Sequence, residues 1–164
     1  MRRSMYICTF LASGVVTAAA LSASPAIADY SNKHAVACMA FGGTPTSINN
    51  VVQNASGASE LTLLCDAPDD TSIPGNTITT VHAYGFDGNN AGVNPIARNC
   101  SASNAPSFSC GTAVTTVAAT GEFDLAPPIP GAWSAVGGEY RYTQVIVPRT
   151  AGVNSSLRGI FIAD

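Results

Sequence analysis

Two histidines and a few carboxylates are the side chains of this 164-residue sequence with the right types for acid–base chemistry. His82 sits in Thr77–Phe86 (TITTVHAYGF), and His34 opens the segment His34–Phe41. Glu122 and Asp124 flank Phe123, and Glu139 follows a glycine pair. An imidazole can serve as a general base, and two carboxyl groups roughly 5–9 Å apart can hydrolyse a glycosidic bond. That chemistry makes a small secreted hydrolase acting on carbohydrate one reading of the chain. The spacing argues for solvated charges instead. Glu122 and Asp124 share a face only in extended backbone, and nothing nearby in sequence raises a carboxyl pKa. Gly-x-Ser-x-Gly, His-Glu-x-x-His, Gly-x-x-x-x-Gly-Lys and Gly-x-Gly-x-x-Gly do not occur.

The aromatic residues suggest binding rather than turnover. Trp133 is the single tryptophan and follows Pro130-Gly131, which places it in a loop or at a strand start. With Tyr140 and Tyr142 it makes a candidate sugar-binding platform, because rings offer a large apolar face with a polar edge. Asp87-Gly88-Asn89-Asn90-Ala91-Gly92 resembles the opening of a calcium loop, but Ala91 and Arg98 stand where a calcium loop needs ligands. The same six residues are good turn formers. No cofactor or metal is expected.

Export decides how the cysteines are read. Arg2 and Arg3, the apolar run Ile7–Leu21 and the small residues Ala26-Ile27-Ala28 have the layout of a cleaved signal peptide over residues 1–28. Residues 29–164, which number 136 (164 minus 28), then form one β-sandwich domain, secreted or periplasmic. The apolar run is shorter than the ~20 residues of a membrane span. No second long run follows, so no membrane span is expected in the mature chain. Cys8 leaves with the leader. Cys38, Cys65, Cys100 and Cys110 remain and allow three pairings of two disulfides. Cys38–Cys65 would join two strand-like segments able to face each other, and Cys100–Cys110 would close a Ser/Ala/Asn/Pro loop. These bridges are expected to staple a stacked pair of sheets. No Cys-x-x-Cys occurs to favour a metal.

The mature portion carries five basic and ten acidic side chains, a net −5. Nucleic acid is excluded as a partner, since it demands a basic patch. Seven or eight short strands separated by turn residues can be traced: His34–Phe41, Ile48–Gln53, Glu60–Cys65, Thr77–Phe86, Ile96–Cys100, Phe108–Ala118, Glu139–Pro148 and Leu157–Ala163. Glu60–Cys65 alternates with period two, putting Leu61, Leu63 and Cys65 on one face. In Thr77–Phe86, Ile78, Thr80, His82, Tyr84 and Phe86 share a face. Leu125–Gly131 holds three prolines and cannot be sheet interior. The pattern predicts an all-β, antiparallel sandwich or jelly-roll-like fold.

Three motifs carry a family likeness. These are Ala58-Ser59-Glu60-Leu61-Thr62-Leu63-Leu64-Cys65, the strand Val81 to Phe86-Asp87, and the closing strand Tyr142 to Val147-Pro148. Their succession resembles a loose group of short exported bacterial β-rich proteins of unknown function. In that group a further Cys often stands near the closing Pro; this chain has Gln144-Val145-Ile146-Val147 there. The resemblance implies export and a β fold, and brings no activity or site residue. The reading favoured overall is an exported, non-catalytic β-sandwich with a binding, adhesion or envelope-associated role. Its partner would be carbohydrate or a cell-envelope component. A third reading is a subunit that assembles through its sheet edges.

Overall fold

The computed structural model describes residues 29–68, 73–88, 93–103, 108–117, 120–134 and 139–164, without the side chains of Ser134 and Glu139. Residues 1–28, where a leader is expected, Asp69, Asp70 and most of the calcium-like loop (residues 89–92) lie outside the described residues. Among those described, twelve strands form two antiparallel sheets. They are β1 (Tyr30–His34), β2 (Met39–Gly42), β3 (Pro45–Ile48), β4 (Val51–Asn54), β5 (Leu61–Asp66), β6 (Thr80–Asp87), β7 (Ile96–Ser103), β8 (Phe108–Cys110), β9 (Val114–Thr115), β10 (Gly121–Leu125), β11 (Glu139–Val147) and β12 (Ser156–Ala163). No helix among the described residues is long and apolar enough to cross a membrane.

The count exceeds the seven or eight expected because several elements are short edge strands. His34–Phe41 divides into the end of β1, a 3-10 turn at Ala35–Ala37, and β2. Phe108–Ala118 divides into β8 and β9. β1, β3 and β10 were not traceable by alternation. The turn Asn49-Asn50 joins β3 to β4 with φ of 49° and 66°, the left-handed pair that a two-residue hairpin requires and that asparagine tolerates.

The front sheet runs β10-β6-β12-β4-β3, with β1 beside β12 on the same flank as β4. The back sheet runs β2-β5-β11-β7-β8, with β9 also on β7. Inward residues of both sheets meet in one core. Leu61, Leu63, Val145 and Val147 come from the back, and Val81, Ala83, Leu157, Ile160 and Ile162 from the front. Burying each such side chain stabilises the fold by about 1.5–3 kcal/mol. On β6 the core face is Val81, Ala83 and Gly85, while His82, Tyr84 and Phe86 face outward. Ile78 is buried just ahead of the strand and does not join the outward set. Gly85 lies opposite Phe123 of β10, and a Cβ there would collide with the Phe123 ring and with the Ser156 carbonyl.

Both expected disulfides are present. Cys38–Cys65 ties the residue preceding β2 to β5, with Cα atoms 4.3 Å apart. Cys100–Cys110 joins directly opposed residues of β7 and β8, with Cα atoms 4.0 Å apart. Neither spans the two sheets; each fastens an edge of the back sheet to its neighbour. The cross-links between layers are polar instead. Buried Asn54 at the end of front-sheet β4 donates from Nδ2 to the Val147 and Pro148 carbonyls at the end of back-sheet β11, and its Oδ1 accepts from the Thr44 and Ser56 amides. The ends of the described chain meet: the Asp29 amide donates to Asp164 Oδ1 at 2.7 Å.

Candidate functional site

Strand register assembles chemistry on the outer face of the front sheet. β6 presents His82 and Tyr84, β12 presents Phe161 opposite His82, and β1 presents Tyr30 one diagonal step from Phe161. The rings form a continuous row. Tyr30 and Phe161 stack with centroids 6.0 Å apart, Phe161 meets His82 edge-on at 6.2 Å, and His82 stacks on Tyr84 at 5.7 Å. Such pairs hold ring geometry by about 0.5–1.5 kcal/mol each.

Polar groups border the row. β10 pairs with β6 so that Asp124 lies opposite Tyr84 and diagonal to His82. His82 Nδ1 is 2.7 Å from Asp124 Oδ1. A carboxylate only accepts, so Nδ1 carries the proton, and in the neutral imidazole Nε2 is left as an acceptor. Partial burial, and secondarily the Asp124 charge, push the Tyr84 phenol above its ordinary 10.0, keeping it a hydroxyl donor. A bulge between Leu157 and Gly159 breaks the β12–β6 register. There Arg158 stands out, its Nη1 2.7 Å from Glu122 Oε1. That exposed pair contributes about 0–1 kcal/mol. Beside it lies a shallow depression of about 370 Å³ lined by Asn32, Lys33, His34, Tyr84, Arg158, Gly159 and Ile160.

The aromatic residues singled out in sequence are placed elsewhere. Trp133 is 0 % exposed. Its indole N–H donates to the Cys100 carbonyl at 2.9 Å, and its own carbonyl accepts from Arg141 Nε at 3.1 Å. A ring enclosed in this way offers no face to a sugar. Tyr140, 70 % exposed, and half-buried Tyr142 lie on the outer face of the back sheet. Trp133, Tyr140 and Tyr142 therefore do not share one surface. Of the acid–base candidates, His82, Asp124 and Glu122 come together on the front face, while the side chain of Glu139 is outside the described set. Sequence reasoning missed Tyr30 and Phe161. The signal for Phe161 was the outward phase of Leu157–Ala163, and Tyr30 follows the small residues Ala26-Ile27-Ala28 too closely to have been read as part of a strand. Among the described residues no three His, Cys, Asp or Glu side chains gather to hold a metal.

The face can bind. It has apolar ring surface, hydroxyl, amide, imidazole, carboxylate and guanidinium groups, all positioned by sheet backbone. The His82–Asp124 pair can also orient an imidazole for proton transfer. Comparison with protein-family models, with curated proteins and with solved structures finds no match.

Proposed function

We propose that this chain is an exported, non-catalytic binding module that recognises carbohydrate of a cell envelope or matrix through the outer face of its front sheet. The observation that carries the reading is the ring row Tyr30–Phe161–His82–Tyr84, bordered by Asp124. Pyranose rings present C–H faces to aromatic side chains and hydroxyls to flanking polar groups, and binding sites combine apolar lining with a few placed polar atoms. Export is supported by the leader's layout and by two disulfides, which persist in oxidising compartments. A glycan array probed with wild type and with Phe161→Ala tests the reading. Signal on a defined glycan class that Phe161→Ala abolishes supports it; a blank array ends it.

The His82–Asp124 contact favours a second reading, hydrolysis of a glycan held on the same face. Release of reducing sugar by wild type that Asp124→Asn removes would establish that reading. The pair stands partly open to solvent, with side chains 28 % and 50 % exposed, and a reacting group left in contact with water weighs toward binding.

A further inference from the structure

We propose that the front face selects glycans carrying a carboxylate, with the acid group seated in the depression over Gly159 beside Tyr84. The inference rests on the carbohydrate reading and adds the charge class of the ligand. Register creates the depression. Gly159 lies opposite His34 of β1 on one side and opposite Tyr84 of β6 on the other. Lacking a side chain, it leaves a gap between an imidazole and a phenol ring. The added Cβ of any other residue would come within 2.7 Å of the Lys33 carbonyl, so the local backbone pairing also requires glycine.

The lining is one-sided in charge. Asn32, Lys33, His34, Tyr84 and Arg158 border the depression, and no aspartate or glutamate does. This stands out in a chain with seven basic and ten acidic side chains. The Lys33 ammonium is turned away to the Asp66 carbonyl at 2.8 Å. Arg158 therefore supplies the cation. Its guanidinium has five N–H donors, and the Glu122 contact is made through Nη1. Arginine's planar fork matches a carboxylate, and the Asn32 amide and Tyr84 hydroxyl add neutral donors. The acidic groups Asp124 and Glu122 stand on β10 outside the lining, Asp124 opposite Tyr84 and Glu122 on the Nη1 edge of the Arg158 guanidinium. The ring row leads into this depression through Tyr84, so a sugar stacked on the rings can place its acid group over Gly159.

Two matched probe pairs test this: sialyllactose against lactose, and oligogalacturonate against its methyl ester. Titration calorimetry with wild type is expected to show at least one acid form bound about tenfold tighter than its neutral counterpart, the lower range for a hydrogen bond to a charged group. Arg158→Gln is expected to bring the two members of that pair to within about twofold. Glu122→Gln, which releases the guanidinium from its neighbour, is expected to sharpen the preference by about twofold to threefold. Thermal melting of both variants checks the fold. Equal binding of acidic and neutral probes overturns this inference while leaving carbohydrate recognition standing. An acid preference that survives Arg158→Gln overturns the placement. Failure to bind any of the four probes, together with a blank glycan array, overturns both.

Discussion

The two sheets share a core yet differ on the outside. The front face gathers rings with acid, imidazole and guanidinium partners. The back face carries Phe108, 75 % exposed, with Tyr140, Met39 and Phe41 also open to solvent, and Arg98 Nε donates to Gln144 Oε1 across it. Their edges differ as well. Both disulfides fasten the back sheet, one beside β2 and one on β8, strands that carry no charged residue. The front sheet has no bridge; Glu122 and Asp124 guard β10, and Pro45 begins β3. Unpaired edges invite strand addition, and charge, proline or a fixed neighbour each suppress it. The lesson is a division of labour: covalent bonds hold the plainer sheet, and the sheet without them carries the outward rings and charges on which the proposed recognition would draw.

Four experiments break or sharpen that contrast. The largest effect is expected at Trp133, which belongs to the shared interior and to neither face. Trp133→Ala should lower unfolding free energy by about 3–5 kcal/mol, read by urea denaturation. A loss under 1 kcal/mol would place the indole outside the core. Next come the bridges. Cys38 and Cys65 are 27 residues apart and Cys100 and Cys110 are 10 apart. Loop-closure entropy then predicts losses of about 4 and about 3 kcal/mol for the respective double serine variants. The order should be reversed only if the β8 edge matters more than loop length. Third, Phe161→Ala and Tyr140→Ala should separate the faces. Phe161→Ala should cost about 1–3 kcal/mol through its two ring contacts and exposed Tyr140→Ala less, both remaining folded, with only the first abolishing glycan binding. Loss of binding in Tyr140→Ala alone would move recognition to the back sheet.

The smallest effect concerns Tyr84. Its phenol is held above 10.0 in the fold, so the protonated form is favoured by folding. That contribution is complete below pH 10 and declines as pH rises through the folded value, because the unfolded chain gives up its proton first. Ultraviolet titration should show the late phenol, and Asp124→Asn should bring it down without returning it fully, since burial is the larger cause.

Much of the back sheet was legible. β5 and β11 are central strands whose buried face alternates with a half-exposed one, so period two is written in Leu61, Leu63 and Cys65 and in Val145 and Val147. The disulfide pairing followed from joining cysteines adjacent in sequence, Cys38 with Cys65 across two strand-like segments and Cys100 with Cys110 around a short loop, though its confinement to one sheet did not. β3 was illegible because every residue in it is exposed, leaving no inner face to mark, and β2, equally exposed, was read only as the end of the longer segment His34–Phe41. β6 alternates clearly, but its larger rings face solvent while Val81, Ala83 and Gly85 face the core. Alternation sorted the two faces but does not say which one is inward. Trp133 misled for a different reason: a Pro-Gly turn placed it in a short 3-10 segment, which folds its indole inward to a backbone carbonyl. The ring row draws on residues 30, 82 and 161, and no local pattern connects positions so far apart.

The hydrogen bond between Asp29 and Asp164 has a practical corollary. In a chain engineered to span residues 29–164, a few added residues would close the polypeptide into a circle there, and it could be reopened at Asn49-Asn50 with every strand whole. Such a permutant would carry its new ends at a hairpin tip, leaving the corner beside Tyr30 clear for immobilisation-free assays.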